Sequence, residues 1–165
     1  MTVRVRRARP EDLPVLLELF DELDQVQREW RLFTPRPGVS DEVAARYRRA
    51  LTQTDAVAVL AEDGDGQPVG MAFAEPRIPS RFSDERALEI SGVIVREDRR
   101  REGIGQLLVA EAVRYARERG LGWITLRTFG PNRGATEFWE ALGFTPRVVE
   151  LVAPLDDVAG HLGDI

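Results

Sequence analysis

Between Ala87 and Phe129 the chain reads strand, helix, strand. "ALEISGVIV" is apolar enough for a buried strand, and "IGQLLVAEAVRYARERG" places Ile104, Leu108, Ala112, Tyr115 and Ala116 on one helical stripe. "WITLRTF" follows as a second strand. A connection that returns through a helix makes its two strands parallel, and the crossover right-handed. What precedes it reads as a meander, so the sheet is mixed.

The remaining elements fit that frame. "TVRVRRA" alternates like a half-buried strand, and residues 10–30 read as a helix with Leu13, Leu16, Leu17 and Phe20 inward. "FTPRPG" breaks it, and Ser40 is the expected N-cap of a second helix. "AVAVLAED" and "PVGMAFAEP" flank "GDGQ" as a hairpin. "NRGATEFWEALG" is a short helix capped by Asn132 and stopped by Gly143. "VVELVA" is expected to close the sheet, with about 153–165 as a tail. The expected fold is one domain over 1–165: an α/β (α+β mixed) architecture, mostly antiparallel, with helices on both faces.

Composition narrows the function. The 165 residues carry a net charge of −5, which disfavours a protein that neutralises many phosphates of a nucleic acid. There is no cysteine, so thiolate chemistry and disulfides are excluded, and His161 has no second imidazole with which to form a metal site. No stretch is long and apolar enough for a membrane helix, and the basic start lacks a secretory core; a cytoplasmic protein is expected. Every other basic residue is arginine, a cation that keeps its charge and suits bidentate phosphate contacts.

Charge and glycine concentrate at the mouth of the crossover helix, in "RRREGIG". A helix start offers unpaired N–H groups and a partial positive charge, and Gly103 and Gly105 admit close approach. An anion seat and a plain solvated loop are both compatible with these residues. A nucleotide P-loop fails, because Gln106 and Leu107 stand where lysine and a hydroxyl belong. A dinucleotide fold fails, because Leu108 replaces the third glycine. What remains is R-x-x-G-x-G, here Arg100, Gly103 and Gly105, after a strand ending "VIV". Downstream, "NRGATEFWEALGF" runs from Asn132 to Phe144.

Together these motifs resemble the GNAT superfamily of acetyl-coenzyme A-dependent N-acetyltransferases, over nearly the whole chain. The resemblance implies a fold whose fourth and fifth strands splay apart around the pantetheine arm of acetyl-CoA, with no metal. It implies backbone donors to the pyrophosphate from Arg101, Glu102, Gly103, Ile104, Gly105 and Gln106, with Arg100 adding charge. It implies amide partners along Val93, Ile94 and Val95. Asn132 and Trp139, in the second motif, are expected beside the cofactor. Trp139 stands where the family often has a tyrosine acid, and an indole N–H is no acid near neutral pH. Arg101 replaces a frequent glycine. Glu102 puts a carboxylate beside the phosphates unless it turns outward or pairs with arginine.

Gly92 inside the fourth strand suggests a bulge, which would aim an N–H at a thioester carbonyl; a glycine that merely makes room is the alternative. Glu89 is the candidate general base, an acid in an apolar strand six residues before Val95, as in many family members. Partial burial would raise its pKa toward the useful range, and Ser91 could hold a relay water. An outward-facing glutamate is the competing reading. Trp30, Phe33, Tyr47 and Phe82, with Asp21, Glu22, Asp24 and Glu29, would make an aromatic, acidic vestibule for a cationic amine.

The reading is therefore an N-acetyltransferase acting on a primary amine, preferably of a small molecule, with a protein N-terminus or lysine next. A homodimer through the closing strands is compatible with the resemblance. The rivals are a non-catalytic acyl-CoA-binding sensor and a different mononucleotide-binding domain.

Overall fold

The computed structural model describes residues 2–31, 33–78 and 84–162. The chain divides into two compact units, Met1–Phe129 and Gly130–Ile165.

The first unit holds a five-stranded sheet in chain order: β1 (Arg4–Arg7), β2 (Val57–Glu62), β3 (Pro68–Arg77), β4 (Ala87–Val95) and β5 (Trp123–Leu126). The first three pairings are antiparallel, and β4 pairs with β5 in parallel, as the helical crossover requires. Helices α1 (Leu13–Gln27) and α2 (Val39–Thr52) cover one face, and α3 (Ile104–Glu118) the other. Leu16, Leu19, Tyr47, Leu60, Met71, Phe73 and Ile94 form the α1/α2 core. Leu19 lies deeper than the predicted Leu13, Leu17 and Phe20, which pack partly buried around that core. On α3 all five predicted stripe residues are buried.

Ion pairs fasten β1 to its surroundings. Arg6 bridges Asp12 at 2.7 Å and Glu62, and that guanidinium holds the Asp12 carboxyl below the usual carboxylate range. Glu111 is 5% exposed on α3 and is held by Arg7 at 2.9 Å and Arg114 at 2.7 Å. The turn between β2 and β3 closes as "GDGQ" predicts. Asp63 accepts from the N–H groups of Asp65 at 3.0 Å and Gln67 at 2.9 Å.

Two expectations are overturned. Ser40 lies inside α2; the cap is Gly38, at φ +85°, and its carbonyl accepts from the Glu42 N–H at 3.2 Å. A left-handed glycine turns the chain into the helix where the sequence offered a hydroxyl cap. The closing strand is also absent. In the second unit residues 145–154 form no strand, and Val148 and Leu151 are both 90% exposed. β-branched composition makes a strand only where a partner ladder and an apolar face receive it. The expected tail contains α5 (Leu155–Leu162), announced by Pro154 and the acidic first turn of Asp156 and Asp157.

Candidate active site

The irregularity in β4 sets the site. Phe73 of β3 pairs with Gly92, but Ala74 pairs with Ile90, so Ser91 is the extra residue of a bulge. A bulge shifts the inward–outward alternation by one. Beyond it Gly92 and Ile94 face α1 and α2; before it Glu89 faces the same way, opposite Glu75. Were Ser91 instead part of a regular ladder, Glu89, three residues before Gly92, would point to the α3 face. The glycine also makes room: a Cβ on Gly92 would lie 3.2 Å from the Leu23 side chain. The bulge and the close packing expected as alternatives at Gly92 thus occur together.

The same strand has an open edge. Its pairing with β5 covers only Ala87–Ile90, and past that point no described strand lies beside it. The Arg96 N–H donates to the Val69 carbonyl of β3 at 2.9 Å. By antiparallel alternation Ile94 also turns its polar groups to β3, while Val93 and Val95 turn theirs to the open edge. This narrows the expected trio, because only its first and last members turn peptide groups to that edge. Arg100 Nε donates to the Val95 carbonyl at 3.1 Å, on that same edge.

From Arg100 the chain enters α3 through two left-handed residues, Arg101 at φ +66° and Gly103 at φ +80°. Only glycine adopts that region freely, which explains why glycine is frequent at the first position and marks Arg101 as strained. Gly103 caps the helix with its carbonyl, accepting from Gln106 at 3.1 Å and Leu107 at 3.2 Å. The Gln106 N–H is therefore engaged. Ile104 and Gly105 lie in the first turn, where an N–H has no carbonyl four residues back within the helix. Glu102 turns to Arg99 at 3.0 Å, and Arg99 in turn reaches Asp63 at 3.4 Å. The guanidinium beside it holds the Glu102 carboxyl below the usual range. The sequence left two ways out for this carboxylate; pairing is the one taken.

Glu89 lines a concavity of about 400 Å3 with Arg46, Glu75, Arg77, Ser91 and Arg127. Its side chain is 14% exposed, and its carboxylate is hydrogen-bonded to Arg77 and 3.6 Å from Arg127. The apolar surround expected from its strand is replaced by two guanidinium groups. Arg46 Nε donates to Glu75 at 3.0 Å, and the same guanidinium reaches the Ser91 hydroxyl at 3.2 Å. Sequence reasoning missed these three arginines, because each sits at a strand end or on α2 and they meet only once the bulge sets the register.

The vestibule departs from expectation. Tyr47 is 3% exposed and stacked on Phe73 at 4.5 Å, so it is core, and burial pushes its hydroxyl pKa up. Trp30 packs on Phe129 at 6.3 Å. Phe33 borders a second hollow of about 530 Å3 with Asp21 and Asp24, but Arg28 and Arg31 line it too and both pair with Asp24. Glu22 is 3.8 Å from Arg96. The acidic character is thus offset by arginine, and Phe82 lies outside the described residues. In the second unit α4 (Arg133–Ala141) starts as predicted: Asn132 accepts from the Ala135 N–H at 3.1 Å, and Gly143 follows the helix at φ +89°. Trp139 packs edge-on to Phe138 at 4.8 Å and Phe144 at 5.3 Å.

Known proteins resemble this chain in sequence and in fold. A protein of Methanocaldococcus jannaschii named as an uncharacterized N-acetyltransferase is 28% identical over 155 residues, which is 90% of this chain and 63% of that protein. A mycothiol acetyltransferase of Saccharomonospora viridis is 33% identical over 87 residues, 52% of this chain and 28% of that protein. The chain thus spans less than two thirds of the length of these curated relatives. Among solved structures, a mutant of the BH1408 protein from Bacillus halodurans superposes with a TM-score of 0.79 at 18% identity, over 92% of this chain and 99% of that one. AAC(6')-Iy, in complex with the bisubstrate analog CoA-S-monomethyl-acetylneamine, gives 0.72 at 18% identity, over 93% and 99%. At such identities the likeness establishes the fold. The family model described as Acetyltransferase (GNAT) family matches residues 23–144, and the chain belongs to that family.

Proposed function

We propose that the chain transfers an acetyl group from acetyl-CoA to a primary amine of a small molecule, with Glu89 as general base. The observation that carries this is that one strand, β4, bears an unpaired peptide edge beside a phosphate-type helix start and, on its α1/α2 face, a carboxylate lining a concavity. The arrangement fits a CoA thioester chemically: N–H groups of Arg101 through Gly105 for the pyrophosphate, and the Val93 peptide groups and Val95 N–H for the amides of the arm.

Bound acetyl-CoA supplies an activated acyl group. The chain's part is to orient it, to hold the amine in the concavity and to take the amine's proton on a Glu89 carboxylate oxygen, directly or through a water held by the Ser91 hydroxyl. The bulge leaves Ser91 outside the ladder, and its N–H is the donor proposed for the thioester carbonyl oxygen, where negative charge develops. Trp139 cannot protonate the departing thiolate, and a thiolate of low basicity leaves without an acid. Aminoglycosides and glucosamine 6-phosphate, the substrates in the names of similarly folded enzymes, are amines of the proposed kind.

The test is free-thiol release from acetyl-CoA across a panel of primary amines, with the acetylated product identified by mass. Turnover with at least one amine is expected; coenzyme binding without turnover would favour a second reading, an acyl-CoA-binding module. One observation favours that reading: the Glu89 carboxylate is already engaged by Arg77.

A further inference from the structure

The concavity beside Glu89 holds more cations than its carboxylates require. Glu75 and Glu89 stand directly opposite one another on β3 and β4, a like-charge pair that is unfavourable unless compensated. Arg46 compensates Glu75, and its guanidinium also meets Ser91 and lies 4.8 Å over the Phe73 ring, so several contacts fix it. Arg77 compensates Glu89. Arg127 is therefore a third guanidinium facing two carboxylates already served. Its side chain is 75% exposed, and 3.6 Å to Glu89 exceeds hydrogen-bond length. Arg77 is also half-exposed, at 51%. Two planar cations with outward donors, at the rim of a polar hollow, match the two oxygens of a carboxylate or phosphate.

We infer that the acceptor is a small amine bearing a second, anionic group, a carboxylate or a phosphate, and that Arg127 and Arg77 bind that group. This rests on the proposal that the acceptor occupies the concavity beside Glu89. It also answers the objection that Glu89 is engaged. An oxyanion on the two arginines competes with the Glu89 carboxylate for them, which turns the lone pairs of Glu89 toward the amine. The anion thus selects the acceptor and frees its base in one binding event, whereas a neutral amine leaves Arg77 on Glu89.

The test is calorimetric titration of the CoA-saturated protein with matched amines: β-alanine against β-alanine amide, and phosphoethanolamine against ethanolamine. The account expects one oxyanion-bearing member to bind roughly tenfold or more tighter than its neutral partner. Which pair responds separates carboxylate from phosphate. Arg127→Gln should abolish the preference and Arg127→Lys should keep part of it, with CoA affinity unchanged in both as the check that the protein is intact. Equal binding of charged and neutral partners overturns the inference, as does no binding of either anionic amine or a preference that survives in an Arg77→Gln/Arg127→Gln double variant. With CoA bound, those outcomes leave the transferase reading standing; failure of CoA itself to bind overturns both.

Discussion

The loop before α3 and the concavity beside Glu89 are both rich in arginine, and they use it in opposite ways. In the loop two guanidiniums turn back on the protein: Arg99 holds Glu102 and Asp63, and Arg100 holds the Val95 carbonyl. Side-chain charge there shapes the backbone, and the backbone N–H groups are the donors proposed for the ligand. In the concavity the backbone is committed to the β3–β4 ladder, and the charge sits on half-exposed side chains at the strand ends. A ligand common to a family can be bound by peptide groups that every sequence supplies. An acceptor that differs between relatives has to be chosen by side chains. The difference explains why two short motifs sufficed to propose a cofactor half, whereas no motif pointed to the acceptor half.

Four substitutions probe that contrast. The largest effect is expected on the side-chain half: Glu89→Gln should lower kcat by about a hundredfold or more near neutral pH, with acetyl-CoA affinity in calorimetry untouched. A rate that survives removes Glu89 as base. On the backbone half, Gly103→Ala forces a Cβ into φ +80°. It should destabilise the fold by roughly 1–2 kcal/mol in denaturant titration and weaken acetyl-CoA binding without altering the preference among amines. The reverse change, Arg101→Gly, relieves the strain at φ +66° and should raise stability by up to about 1 kcal/mol. It should leave coenzyme affinity in place, because the peptide N–H is retained. A large loss of affinity in Arg101→Gly would mean that side chains bind the phosphates after all. The smallest effect belongs to Arg99→Gln, which frees the Glu102 carboxylate beside the phosphate site. Acetyl-CoA should bind a few-fold more weakly at low salt and nearly normally at high salt, measured by titration at two ionic strengths.

Elements with a strong period were legible in the sequence. The α3 stripe, the hairpin at Asp63–Gln67 and the Asn132 cap depend on residues close in the chain, and all three hold. Where the outcome depended on distant partners, the sequence misled. Val148, Val149, Leu151 and Val152 have strand composition but no ladder, and Gly38 took the cap that Ser40 advertised. The candidate base shows both sides of this. Gly92 signalled the bulge, but which way Glu89 faces follows from the register with β3, and Arg46, Arg77 and Arg127 converge on it only in three dimensions. Tyr47 failed as a vestibule residue for the same reason, since its helix face was set by packing on Phe73.

The most direct measurement of the central claim is calorimetric titration of the purified protein with acetyl-CoA, with adenosine triphosphate as the control and Gly103→Ala in parallel. Saturable binding of acetyl-CoA, none of the nucleotide, and weaker binding by the variant are expected. No saturable binding of acetyl-CoA at high protein concentration, or equal binding of adenosine triphosphate, would contradict it.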